Sequence, residues 1–415
     1  MGIGSATLVL LAALGVMGAL AFRLGRGKAL ASVAEGIKMH SRPQQYGWYS
    51  VVWMGLPALG VAVAAALLSV LGIIAPSREL VVITSLAVAA FGLGWGLRAI
   101  GPAVRARNAL DTVIRMLLLG AALISIITTL AIVLSIIFEA MRFFREVSVW
   151  EFVTGTVWSP GDTFLESVGR GEDAGGAGSF FGSVPLFAGT FMVTGIAMAT
   201  ALPIGLLSAI FMSEYATPTQ RGIAKPLLEI LAGIPTVVYG FFAAITVSPL
   251  VVDIAAFFGL DASYSNILSP GIVMGIMIIP FISSLSDDVI NSIPQSLREG
   301  AYALGTTHSE TIKQVILPAA LPGVISAFLL GVSRALGETM IVVMAAGMRP
   351  NLTWNPLEDM TTVTVNIVAS LTGDQAFDSL MTLSAFALGL VLFTVTLLLN
   401  LLSTYLIRRF KQNYD

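Results

Sequence analysis

Long apolar runs dominate the chain, and its polar residues gather in short intervals between them. About 20 mostly apolar residues are enough for a helix to cross a bilayer. Nine stretches qualify: residues 3–22, 50–74, 80–97, 116–138, 185–212, 226–250, 268–286, 319–347 and 381–407. The pattern predicts an all-α polytopic membrane protein, since helices satisfy their own backbone groups in lipid. The first run has no charge before Arg23. A secretory signal peptide would carry its positive charge ahead of the apolar run. A retained first helix with the N-terminus outside is therefore expected.

Basic residues test that orientation, because Lys and Arg collect in cytoplasmic loops. With the N-terminus outside, Arg23, Arg26, Lys28, Lys38 and Arg42 fall inside, as do Arg98, Arg105, Arg107 and Arg115. Arg221, Lys225, Arg298, Lys313, Arg408, Arg409 and Lys411 follow on the same side. Only Arg78, Arg142, Arg145, Arg170 and Arg349 fall outside. The expected topology is N-out and C-in. Two long outer loops, 139–184 and 348–380, carry Trp150, Trp158 and Trp354, aromatic residues of the kind that mark interfacial helices. The glycine-rich part of the first, 171–182, is expected to stay flexible.

Composition narrows the function. The chain has 415 residues, of which 56% are hydrophobic and 11% charged, with a net charge of −2. No basic field points to nucleic acid. The absence of cysteine excludes disulfides, thiolate metal sites and cysteine catalysis. His40 and His308 lie in separate polar loops and make no metal cluster. No G-x-x-x-x-G-K-[ST] pattern occurs, so no catalytic ATPase site and no cofactor is expected in this chain. If ATP drives it, the ATP and Mg belong to a partner.

The longest polar interval of the second half runs from Glu299 to Pro318. Glu299, Gly300 and Ala301 open it, Gly305 follows, and Val315, Ile316, Leu317 and Pro318 close it. Ala301, Ala303 and Leu304 favour a helix, and Gly305 breaks it. Thr306 or Thr307 is placed to cap a second short helix holding Glu310 through Val315. Two short helices joined at a glycine would form a knob suited to a partner's cleft. The spacing resembles the EAA loop of ABC-transporter permeases, with Gly300 and Val315 as conservative departures.

Candidate transport residues lie further on. Arg334 and Glu338 sit within one apolar run, four positions apart. On a continuous helix they would share a face and pair. A charge at mid-membrane is costly, and pairing lowers the cost. The planar guanidinium matches an oxyanion such as phosphate. A buried ion pair that fixes helix packing is the plainer alternative. Ser333 and Thr339 are adjacent hydroxyls able to donate to an oxyanion. Glu229 precedes Gly233, Pro235 and Gly240, which would break or bend their helix, and Pro203 and Pro280 could bend two more. Asp287 and Asp288 are expected at the cytoplasmic surface, in contact with solvent. Gly92 and Gly96 form a G-x-x-x-G that can admit close helix approach.

With the loop, LAGIPTVVYG and SRALGETM together, residues 113–415 resemble the permeases of the bacterial phosphate-specific ABC importer, PstC type. The resemblance implies a six-helix type I ABC importer core in the bacterial inner (plasma) membrane. It implies a PstA-type permease, a PstB-type ATPase dimer and a periplasmic phosphate-binding protein as partners, with inorganic phosphate as cargo. It associates Arg334 and Glu338 with the phosphate path and Glu299–Pro318 with ATPase docking. Residues 1–112 add three spans that the resemblance does not cover, an N-terminal domain that would serve as a scaffold, a regulatory contact or a support facing membrane lipid. Sulfate, molybdate or phosphonate would suit a membrane arginine as well. An ion-coupled secondary transporter, with Arg334 and Glu338 as a relay, is the reading from another class.

Overall fold

The computed structural model describes residues 3–74, 76–161, 180–372 and 379–410, with side chains from residue 7 to residue 405 within those ranges. Among the described residues, nine helices are long and apolar enough to cross a membrane. The chain divides into two compact units, 1–130 and 131–415. The division falls inside a helix, whereas the sequence pattern placed a boundary at residue 112.

The first unit contains α1 (Ile3–Ala34), α2 (Pro43–Val70), α3 (Arg78–Ala99) and the first part of α4 (Ala106–Phe143). Ser77 starts α3 by accepting a hydrogen bond from the Leu80 amide at 3.4 Å. Small residues bring α2 and α3 together. A side chain at Gly92 would collide with the Trp53 carbonyl oxygen, and one at Gly96 would come within 3.0 Å of the Trp53 Cβ. The G-x-x-x-G pair thus lies on a helix–helix face. Leu10, Leu14, Met54, Ala58 and Ala89 form the apolar core beside it.

The second unit continues with α5 (Val149–Thr154), α6 (Val184–Ile210), α7 (Pro218–Ala232), α8 (Thr236–Phe242), α9 (Ser248–Phe257) and α10 (Leu268–Asn291). Then come α11 (Gln295–Ala303), α12 (His308–Thr311), α13 (Leu317–Leu336), α14 (Met340–Ala345), α15 (Val363–Leu371) and α16 (Leu380–Phe410). Single π-helical turns at Phe211–Tyr215, Ala243–Val247 and Ile312–Ile316 extend α6, link α8 to α9 and link α12 to α13. Helices α6 and α10 form the centre. Val193, Ala197 and Ala201 pack with Met274, Ile278 and Ile282, all buried. Both helices run on through their prolines, Pro203 and Pro280.

Two expected spans are corrected. The run 226–250 is two helices: α7 ends at Ala232, and Gly233 and Pro235 separate it from α8. Gly240 does not interrupt α8; it lies against Met340, Ile341 and Met344 at the start of α14. The run 319–347 also divides, because α13 stops at Leu336 and Gly337 is its C-cap. In both places glycine lowers the cost of leaving the helix, and neighbouring protein groups take up the freed backbone.

The first long loop is partly packed. Trp158 and Phe181 pair as an antiparallel bridge and are 5% and 0% exposed. The expected flexibility therefore fails for Phe180–Gly182, whose backbone bonds to Val157 and Ser159. Residues 171–179 lie outside the described residues, as do Arg170 and Lys411. Trp158 belongs to an aromatic core with Phe143 and Phe152, while Trp150 and Trp354 are exposed.

Candidate substrate and coupling sites

The polar interval 299–318 folds as the expected knob, with one difference. Helix α11 ends where Gly305 adopts φ +85°, the left-handed conformation that glycine tolerates best. Thr307 then caps α12: its Oγ1 accepts from the Glu310 amide at 3.4 Å, and the Glu310 carboxylate accepts from the Thr307 amide at 2.8 Å. The second helix is not a separate short piece. It passes through the π turn Ile312–Ile316 into α13, so the knob and a spanning helix are one continuous element. Glu299, Gly300 and Gly305 are exposed, Ala301 is buried, and Leu317 and Pro318 form the first turn of α13. Leu304 at the tip is 88% exposed.

Arg298, one residue before the knob's start at Glu299, has an anchoring role that the sequence does not announce. Its guanidinium donates to the Glu214 carboxylate at 2.8 Å and to the carbonyls of Ile293 and Ile290 at 2.8 and 3.0 Å. The Arg298 and Glu214 side chains are only 11% and 7% exposed. His308 packs edge-on against Tyr215 and stacks on Tyr302. The knob is thereby bound to the end of α6 and to the end of α10. Nothing in the local sequence marks Glu214 as a partner, because it lies 84 positions away.

The predicted Arg334–Glu338 pair does not form. Helix α13 ends between them, so the four-residue spacing no longer places them on one face. The Glu338 carboxylate accepts instead from the Met340 and Ile341 amides at 3.1 and 3.4 Å, starting α14. Thr364 holds the same bend by donating to the Glu338 carbonyl at 2.8 Å. Ser333 bonds to Asn400 on α16 at 3.2 Å, and Thr339 bonds weakly to the Gly337 carbonyl at 3.4 Å. The four residues are close in the chain, but their side chains serve different places.

Arg334 turns to a cavity of about 200 Å³ that Lys225, Glu229, Phe281, Ser284 and Asp287 also line. Its guanidinium lies 5.5 Å from the Phe281 ring centre, over its face. Among the described residues it has no carboxylate partner. Asp287, expected at the surface, is instead fully buried. Arg221 and Lys225, one turn apart on α7, reach its carboxylate at 2.8 and 3.5 Å, and Asn291 donates at 2.8 Å. Burial of this carboxylate is tolerated because two cations and an amide surround it. Asp288 is exposed and only approaches Lys225, at 3.7 Å. The cavity thus contains one arginine whose five donors are not taken up by an acid, beside an aspartate already neutralised.

A spanning helix bundle with this knob and cavity matches a known family over its larger part. Residues 201–412 match the family described as binding-protein-dependent transport system inner membrane component. The chain belongs to this family. Residues 11–78 match a second one, described as phosphate ATP-binding cassette transporter. The first two N-terminal spans are therefore not foreign to phosphate transporters, although no sequence motif explains them. No local motif announces that match.

This family member is 34% identical to the probable ABC transporter permease protein YqgH of Bacillus subtilis, over 72% of the chain and 91% of that protein. It is 32% identical to the phosphate transport system permease protein PstC 1 of Mycobacterium tuberculosis, over 66% of the chain and 86% of that protein. Among solved structures, it is similar to a chain of a bacterial ABC transporter involved in alginate import, at 18% identity and a TM-score of 0.48, covering 74% of this chain and 100% of that one. The protein is a multi-pass membrane permease.

Proposed function

We propose that this chain is a permease subunit of an ATP-driven importer of inorganic phosphate in a bacterial inner membrane. The second family match and the PstC relatives support the phosphate cargo, and the first match supports a binding-protein-dependent transport system. The orientation supported by the basic loops is N-out and C-in, with the knob 299–318 in the cytoplasm. A second, PstA-type permease completes the path. A PstB-type ATPase dimer receives the knob and supplies ATP hydrolysis, and a binding protein delivers phosphate from outside.

The observation that carries the site assignment is the Arg334 guanidinium, which faces a cavity and, among the described residues, has no ion-pair partner. A phosphate ion arriving there meets an unpaired planar donor fork. Passage requires that binding be weak enough to reverse, and one arginine beside the acids Glu229 and Asp287 suits that need better than a dense basic cluster. Glu338 contributes indirectly, by holding the bend after α13. Closure of the ATPases moves the knob, and α13 transmits the motion directly because it is continuous with the knob.

The test is ATP-dependent phosphate uptake by the reconstituted complex, wild type against Arg334→Gln, with sulfate as competitor. Lost phosphate flux with intact assembly and ATP hydrolysis is the expected result. Persistent flux removes Arg334 from the path. Flux of sulfate in place of phosphate keeps the transporter and changes its cargo.

A further inference from the structure

The first unit contains a cavity that the transport reading does not use. It has a volume of about 900 Å³, and its lining includes Ser41, Arg42, Arg107, Asn108, Asp111 and Arg115. One wall is the turn that leads into α2, and the other is the start of α4. Two hydrogen bonds fix the walls to each other. Ser41, 9% exposed, accepts from the Arg107 amide at 3.2 Å, and the buried Tyr46 donates its hydroxyl to the Val104 carbonyl at 2.8 Å. The frame is rigid, yet the three arginine heads it presents are exposed.

Charge balance distinguishes this cavity from an ordinary solvated face. Arg107, Asp111 and Arg115 follow one another at four-residue spacing, on one side of α4. Among the described residues, Asp111 is the one acid in the lining, against three arginines. Its contact with Arg107 is 3.9 Å long, with side chains 71% and 62% exposed, so it neutralises little. Arg42 and Arg115 have no ion-pair partner among the described residues. The N-terminal ends of α2 and α4 border the same space and add positive potential. Like charges held together on a fixed frame repel one another unless an anion lies between them. The guanidinium fork fits the oxygens of a phosphoryl group best. Immediately beyond Arg115, Met116, Leu117 and Leu118 are exposed apolar surface, at the level where a spanning helix enters lipid.

We propose that this cavity is a second anion site, which holds a phosphoryl group between Arg42, Arg107 and Arg115. The group belongs either to an anionic lipid headgroup at the membrane surface or to free phosphate. In the N-out orientation the site opens to the cytoplasm. Binding there joins the α1–α2 turn to α4 and stabilises the first unit.

The experiment uses the full chain in phosphatidylcholine nanodiscs, with Arg334→Gln as the background to silence the cavity of the second unit. Two probes are compared by thermal unfolding: inorganic phosphate added to the buffer, and phosphatidylglycerol included in the disc. A rise in melting temperature with one probe, absent from the Arg42→Gln/Arg107→Gln/Arg115→Gln variant, supports the site and identifies the source of the phosphoryl group. Each single variant is expected to weaken the response roughly tenfold in probe concentration, as loss of one charged hydrogen bond does. The single variants decide the matter if the triple variant does not fold. Equal responses in parent and variants, or no response to either probe, overturn the proposal.

Discussion

Arg298 and Arg334 belong to the same unit and to consecutive stretches of chain, but the fold uses them in opposite ways. Arg298 is 11% exposed, and a carboxylate and two backbone carbonyls accept its donors. Arg334 has an aromatic face beneath it and, among the described residues, no acid within ion-pair distance. A saturated buried guanidinium holds structure, because removing either partner strands a charge. An unsaturated one, aimed into a cavity, keeps its donors for an arriving ion. The lesson is that the number of partners, rather than the presence of a charge, separates an anchor from a binding group.

The largest expected effect tests the anchor. Arg298→Ala leaves Glu214 buried without a partner and should destabilise the second unit by about 3–5 kcal/mol. Unfolding in detergent measures this, and replacing Glu214 with Gln in the same protein should restore part of the loss. A wild-type melting curve for Arg298→Ala would remove the distinction between the two arginines.

Arg334→Gln should do the reverse. Its melting curve should stay near that of the wild type, while phosphate uptake falls roughly tenfold or more, in keeping with a lost charged hydrogen bond of about 1.5–3 kcal/mol. Parallel losses of stability and uptake would make Arg334 a second anchor.

Asp287→Asn sharpens the comparison from the acid side. Asn291 and the two cations surround this buried carboxylate, but Arg221 and Lys225 are themselves 33% and 36% exposed. Water can solvate them once the charge is gone, so the loss should be smaller, about 1–2 kcal/mol. A loss as large as that of Arg298→Ala would show that exposure of the partner does not matter here.

The smallest effect concerns the knob itself. Thr307→Ala removes the cap of α12 and should cost about 1 kcal/mol. Since α12 continues into α13, hydrogen exchange should rise at 308–316 while the rest of α13 stays protected. Increased exchange along the whole of α13 would mean that the cap supports the spanning helix as well as the knob.

Much of this molecule is legible in its sequence. The apolar runs announce the spanning helices, because lipid leaves the backbone no other way to satisfy itself. Gly305 and Thr307 announce the knob, because a left-handed glycine and a hydroxyl cap act within a few residues. The Gly233–Pro235 break was legible for the same local reason. Arg334 is legible as a charge within an apolar run, but its surroundings are not. A four-residue spacing predicts a pair only while the helix continues, and Gly337 ends it.

The sequence by itself determined the nine apolar spans and the breaks at Gly305 and Gly233–Pro235, since those depend on propensity, capping and hydropathy over neighbouring residues. Tertiary structure alone decided which charges meet. Glu214 reaches Arg298 across 84 positions of chain, and Arg221 and Lys225 reach Asp287 across 66 and 62. It also decided that Glu338 caps a helix instead of pairing with Arg334. Electrostatic partnership depends on distance in space and on exclusion of water, and neither is set until the helices have packed.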